Sequence, residues 1–155
     1  MLEIERKYTL KNTKFLLSAA KAFKITQGYL SSVPERTVRV RTKNDKGYLT
    51  IKGKSTLDGL SRFEWEKEIP LQEALSLLNL CEDYVIEKTR YEVVYGNHIF
   101  EVDVFSGHNE GLMIAEVELQ TEDESIDLPD WIEKEVTGEE KYYNAYLSNH
   151  PFTKW

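Results

Sequence analysis

The chain has a single cysteine, Cys81. No internal disulfide can form, which points to a reducing compartment and an expected cytoplasmic location. No partner motif surrounds Cys81, so it reads as a small packing residue rather than a nucleophile. No apolar run approaches the ~20 residues that cross a bilayer, so no membrane partner is expected. No charged-then-apolar leader opens the chain, so a secretory signal is not expected either. Cations are in short supply: 20 Lys and Arg stand against 27 Asp and Glu, for a net charge of −7. That balance excludes a general nucleic-acid binder, whose affinity rests on surplus cations over its footprint. There is no repeat, low-complexity tract or linker. His98, His108 and His150 are not near one another at ligand spacing and read as surface or packing residues. Trp65, Trp131 and Trp155 read as packing or helix cover.

What is present is one domain's worth of chain, 155 residues, with 41% hydrophobic and 30% charged side chains. That length and balance describe a soluble globular domain over 1–155 with a proper core. Short alternating stretches dominate it. They cover residues 2–10, 24–31, 36–43, 48–54, 61–69, 84–95, 98–105 and 113–120, which reads as eight strands. "NDKG" at 44–47 and "GN" at 96–97 supply residues that tolerate the positive φ of hairpin turns. Helical signals are fewer. "NTKFLLSAAKA" at 12–22 opens on N-capping residues, "PLQEALSLLNL" at 70–80 on proline, and 139–149 follows Thr137 at capping-box spacing. "LPDWIEKEV" at 128–136 reads as one short helical turn. The fold class is α+β and antiparallel.

Strand side chains alternate between two faces. In "MLEIERKYTL" Glu3, Glu5 and Lys7 share one face, and Ile4 and Tyr8 lie opposite. The same phase puts Arg39 with Arg41, Glu64 with Glu66, Lys88 with Arg90, Glu101 with Asp103, and Glu116 with Glu118. Any one such face is ordinarily solvated. Taken together, like charges are sorted in pairs. At the ~7 Å between next-but-one strand neighbours, like charges repel by about half a kcal/mol in water and by more in a drier site. A face shaped only for solubility mixes its signs. The sorted pairs suggest a ligand of both charges. Carboxylates bind Mg²⁺ or Mn²⁺ through oxygen, and Arg and Lys grip phosphate oxygens. A metal-bound polyphosphate joins the two. Eight strands can close into a barrel wide enough for one small ligand, with the amphipathic helices covering its apolar outside.

These residues resemble the CYTH domain family, also called the triphosphate tunnel metalloenzymes. "EIERK" at 3–7 matches the family's ExExK signature. "QGYL" (27–30), "VRVR" (38–41), "TIK" (50–52), "SRFEWE" (61–66), "EKTRY" (87–91), "EVDVF" (101–105), "EVEL" (116–119) and "EVT" (135–137) follow in the family's order. The likeness covers essentially the whole chain and is strongest to short bacterial inorganic tripolyphosphatases. It implies an eight-stranded antiparallel β-barrel, a tunnel with a charged lumen, covered outside by a few helices. It implies metal-dependent hydrolysis of a triphosphate, with two Mg²⁺ or Mn²⁺ ions. By motif, Glu3, Glu5, Asp103, Glu116 and Glu118 hold metal. Lys7, Arg39, Arg41, Lys52, Arg62, Lys88 and Arg90 grip phosphate, with Lys54 and Lys141 as further candidates. Glu64 and Glu66 serve a second metal or its water and, with Lys88, form the catalytic group. Tyr29 reads as packing. The family also contains class IV adenylate cyclases and thiamine triphosphatases, so an organic triphosphate is the alternative substrate. A non-catalytic polyphosphate-binding module is a further one. The partner is a small molecule; oligomeric state is not legible.

Overall fold

A computed structural model describes residues 2–155. Among them nine strands form: β1 (Leu2–Leu10), β2 (Ala19–Ser31), β3 (Arg36–Lys43), β4 (Lys46–Gly53), β5 (Ser61–Ile69), β6 (Ile86–Tyr95), β7 (His98–Ser106), β8 (Met113–Glu118) and β9 (Ile132–Glu135). Two α-helices, α1 (Leu71–Leu78) and α2 (Asn144–Leu147), and short 3₁₀ turns complete the fold. The strands run in the order β5-β4-β3-β2-β6-β7-β8-β1, and a β5–β1 pairing closes the ring. Every ladder in it is antiparallel. This is the expected closed barrel. Both anticipated turns are present, with Asn44 at φ 52° and Gly96 at φ 59°.

β1 is shared among three neighbours. Its start pairs with β5 (Glu3↔Arg62), its middle with β8 (Glu5↔Glu118, Lys7↔Glu116), and its end with β9 (Tyr8↔Glu135). The short β9 therefore occupies the edge of β1 that β5 leaves behind.

The structure corrects three local expectations. Residues 12–22 form a 3₁₀ turn, Lys14–Ser18, and then enter β2. Alanines favour helix, but propensity yields to tertiary context, and the long β6 offers a ladder from Val93 to Ile86 that satisfies the backbone instead. Residues 128–136 hold β9, not a helical turn. The region 139–149 is split into a 3₁₀ turn at Glu140–Tyr142 and the four-residue α2. The helix at 70–80 is found as α1, seated where Gly47 leaves room: a Cβ there would lie 2.7 Å from that of Ala74.

The apolar faces look outward, as expected, under less helix than expected. One cluster (Ile4, Tyr8, Phe100, Val102, Ala115, Val117) packs on the barrel's outside beneath Phe15, Trp131 and Ile132. Phe15 and Phe100 meet the Trp131 ring at 5.8 and 5.7 Å. A second cluster joins Leu147 of α2 to Ile86, Phe105, Leu112 and Ile114, across one end of the barrel. At the start of β1, the end of β4 and the start of β5, Leu2, Ile51 and Phe63 remain exposed. Cys81 packs against Gly28, where an added Cβ would come within 2.7 Å of its Sγ, and burial pushes its thiol up. It is a packing residue.

Candidate active site

The barrel encloses a cavity of about 610 Å³. Glu3, Glu5, Lys7, Arg39, Arg41, Lys52, Arg62, Glu64, Glu66, Lys88, Arg90, Glu116 and Glu118 all line it, together with Lys54 and Tyr29. Strand parity brought these side chains inward, and closure of the sheet brought them together. Lys141 does not line the cavity; its ammonium lies over the rings of Tyr142 and Trp155 outside.

The signs are sorted by wall. Acids occupy β7, β8, β1 and β5, which are contiguous around the ring, and bases occupy β4, β3 and β6. Lys7 and Arg62 are the exceptions on the acidic side. Glu5 faces Glu118, and Glu101 faces Glu116, directly across their ladders. Such like-charge neighbours are unfavourable unless something between them is positive.

Four clusters hold these groups. At the first, Asp103 is completely buried and accepts from Arg90 Nε (2.7 Å), Arg90 Nη2 (2.8 Å) and Lys88 Nζ (2.8 Å). Burial would raise its pKa, but the Arg90 and Lys88 charges hold it below the usual range. Burial pulls Lys88 down to about 8 despite Asp103. Asp103 is not among the residues that line the cavity, and here it pairs with cations. Lys88 also donates to Asn144 Oδ1 (3.0 Å), which accepts a second bond from Gln27 Nε2 (2.9 Å).

At the second cluster, Glu66 accepts from Thr50 Oγ1 (2.6 Å), Arg39 Nη2 (3.2 Å) and Arg41 Nη2 (3.4 Å). Burial opposes its charge, but Thr50 and the two guanidiniums hold its carboxyl below the usual value. Burial, with Arg39 and Arg90 nearby, lowers Arg41 to about 10. The Nε atoms of both Arg39 and Arg41 are buried without a partner.

At the third, Lys52 bridges Glu3 (2.8 Å) and Glu64 (3.1 Å), with Arg62 3.8 Å from Glu3. Burial and the hydrogen bond to Glu3 raise Glu64 to about 7. Burial would raise Glu3 too, but the Glu64 hydrogen bond and Lys52 hold it at about 2. At the fourth, burial and Glu116 push Glu5 well above the carboxylate range. Lys7 and Arg90 hold Glu116 well below that range, against its burial. Burial, Glu3 and Glu101 raise Glu118.

In each of two carboxyl pairs, Glu3–Glu64 and Glu5–Glu116, one group is thus held down and its neighbour pushed up. Among the described residues no three acidic, histidine or cysteine side chains are gathered as a ready-made cage for an ion. The donor set still fits a hard divalent cation. Mg²⁺ is commonly held by one or two carboxylates, with substrate phosphates and waters filling the rest. Carboxylates that face one another across a shared cavity are suitable oxygen donors for it.

Gln27, Thr50, Tyr143 and Asn144 also belong to the site and are given no role by the sequence, and Glu101, paired there with Asp103, is given none either. Gln27, Thr50 and Glu101 share the inward parity of their strands. Tyr143, over which Lys7 Nζ lies at 5.0 Å, and Asn144 fall in the segment read as one helix. No spacing signal marks them. His98 pairs with Glu124 and His108 packs on Tyr84, whereas His150 stacks on Tyr146 at the cavity wall.

Comparison with known proteins agrees with this architecture. The model of the CYTH domain matches residues 1–146. An inorganic triphosphatase of Acetivibrio thermocellus is 48% identical over 97% of this chain and 95% of its own. One of Nitrosomonas europaea is 34% identical over 96% of this chain and 97% of its own. A crystal structure of an inorganic triphosphatase superposes with a TM-score of 0.67 at 31% identity, covering 94% of this chain and 97% of that one. With its ExExK strand, its closed ring and its sorted lumen, this chain belongs to the CYTH domain family.

Proposed function

We propose that this protein, a single domain over 1–155, hydrolyses a triphosphate held in the lumen. The substrate is inorganic tripolyphosphate: water attacks a terminal phosphorus, one phosphoanhydride bond breaks, and orthophosphate and pyrophosphate leave. The observation that carries the reading is one cavity with Arg39, Arg41, Lys52, Lys88 and Arg90 on one wall and Glu3, Glu5, Glu116 and Glu118 on the other. The names of the two curated relatives support it.

The roles follow from charge. Lys7, Arg39, Arg41, Lys52, Arg62, Lys88 and Arg90 bind phosphate oxygens and stabilise charge that grows on them. Glu66 fixes both the Arg39 and Arg41 guanidiniums in place. Glu64, raised to about 7, is matched to accept a proton from the attacking water near neutral pH. CYTH triphosphatases are metal-dependent in general. Glu3, Glu5, Glu116 and Glu118 would hold the metal, and Mg²⁺ or Mn²⁺, two ions, suits an all-oxygen set. When bound, such ions neutralise the phosphates and ease ionisation of water. Asp103 has no part in that set. We place the protein in the cytoplasm, where lone Cys81 stays reduced.

The test is phosphate release from tripolyphosphate, ATP and thiamine triphosphate, each with Mg²⁺, Mn²⁺ or EDTA. Tripolyphosphate is expected to turn over fastest, and EDTA to abolish turnover. Cyclic AMP and pyrophosphate from ATP would identify a cyclase instead. Tight tripolyphosphate binding without turnover would identify a binding module.

A further inference from the structure

Lys88 Nζ is an ammonium and can only donate. It is 2% exposed and points one N–H at Asp103 Oδ2 and another at the Asn144 side chain, 3.0 Å away. The atom of Asn144 that faces it must therefore be the amide oxygen. Gln27, completely buried, donates to that same oxygen from 2.9 Å. Both acceptor positions of Oδ1 are filled, so the orientation of the amide is set. Its other end, Nδ2, makes no hydrogen bond to the described residues and is not among the buried atoms left without a partner. Asn144 lines the lumen. Two N–H donors are thus presented to the cavity beside Lys88, on a side chain whose oxygen is doubly tied.

We propose that Asn144 is a phosphate-binding residue of this site. Its Nδ2 donates to an oxygen of the bound triphosphate, and its Oδ1 keeps Lys88 aimed at the same anion. The inference rests on the triphosphate reading above. It adds to the ring of charged side chains a neutral donor carried by α2, the segment that lies across one end of the barrel. A neutral donor gives direction without adding charge, so it contributes to placing the chain of phosphates rather than to attracting it.

Asn144→Asp separates this role from a structural one. The variant keeps the shape and keeps an oxygen for Lys88 and Gln27. It replaces the two N–H donors with an oxygen that repels phosphate. A hydrogen bond to a charged group corresponds to about tenfold or more in affinity. Asn144→Asp is expected to raise KM for tripolyphosphate at least tenfold while kcat changes less than threefold. Its thermal midpoint is expected to stay at or above that of the parent protein. Asn144→Ala is expected to raise KM as well. An unchanged KM in Asn144→Asp, with Asn144→Ala merely lowering the thermal midpoint, would overturn the inference and leave Asn144 a tether. Turnover by the parent protein tests the hydrolase reading separately. If there is none, calorimetry of tripolyphosphate binding decides: at least tenfold weaker binding by Asn144→Asp supports the inference. Equal affinities, or no binding by the parent protein, sink it.

Discussion

Asp103 separates a charge in the lumen wall from a charge available to a ligand. It accepts three hydrogen bonds from Arg90 and Lys88, and it is the only counter-charge within 3 Å of Lys88 among the described residues. Asp103→Asn leaves two buried cations short of an anion. We expect a loss of about 3–5 kcal/mol of folding stability, read from urea unfolding at pH 7. The pH dependence has a definite sign. A carboxyl held below its ordinary value contributes stability that is complete above an unfolded pKa of about 4 and is lost as pH falls through the folded one. The gap between the parent protein and Asp103→Asn should therefore narrow as the pH drops below about 4; a constant gap would contradict the assigned charge. The inward direction of Asp103 was legible in "EVDVF". Its partners were not, because spacing along one strand is silent about which cation waits on the next.

Elements built on alternation were the legible ones. β1, β3 and β5 run over the residues expected, since period-two patterning leaves one register that keeps charge off the outer face. Segments whose partner lies far away were not legible. "NTKFLLSAAKA" carries helix signals, yet only Phe15 of its 3₁₀ turn is buried, while Leu17 is 90% exposed. Phe15→Ala should cost about 3–5 kcal/mol in urea unfolding, and Leu17→Ala less than about half a kcal/mol. Equal costs would mean that the stretch packs as the amphipathic helix its sequence suggests. β9 escaped notice because its four residues have meaning only beside the end of β1. Asn144 escaped because a capping-box spacing says where a helix starts, not what its first side chain touches.

At the scale of the whole molecule, the two charged walls oppose folding until something lies between them. Like-charged strands are adjacent over half the ring, and the repulsion, with burial, pushes the Glu5 and Glu64 carboxyls up. Ligands that complete the charge pattern should stabilise the barrel. At ~100 times its dissociation constant, a ligand adds about 2.7 kcal/mol. For a chain of this size that raises the melting temperature by about 5–10 °C. Scanning calorimetry with tripolyphosphate and Mg²⁺ together should show this shift, and either one alone a smaller one. No shift with both would refute a lumen built for a metal–polyphosphate pair. The same ring has a temporal consequence. The first stave meets its neighbours at residues 61–63, 114–118 and 132–135. A nascent chain leaving the ribosome can zip its consecutive hairpins early, yet that opening stave finds its later partners only once residues 114–135 have emerged, so closure is a late, long-range event in its biogenesis.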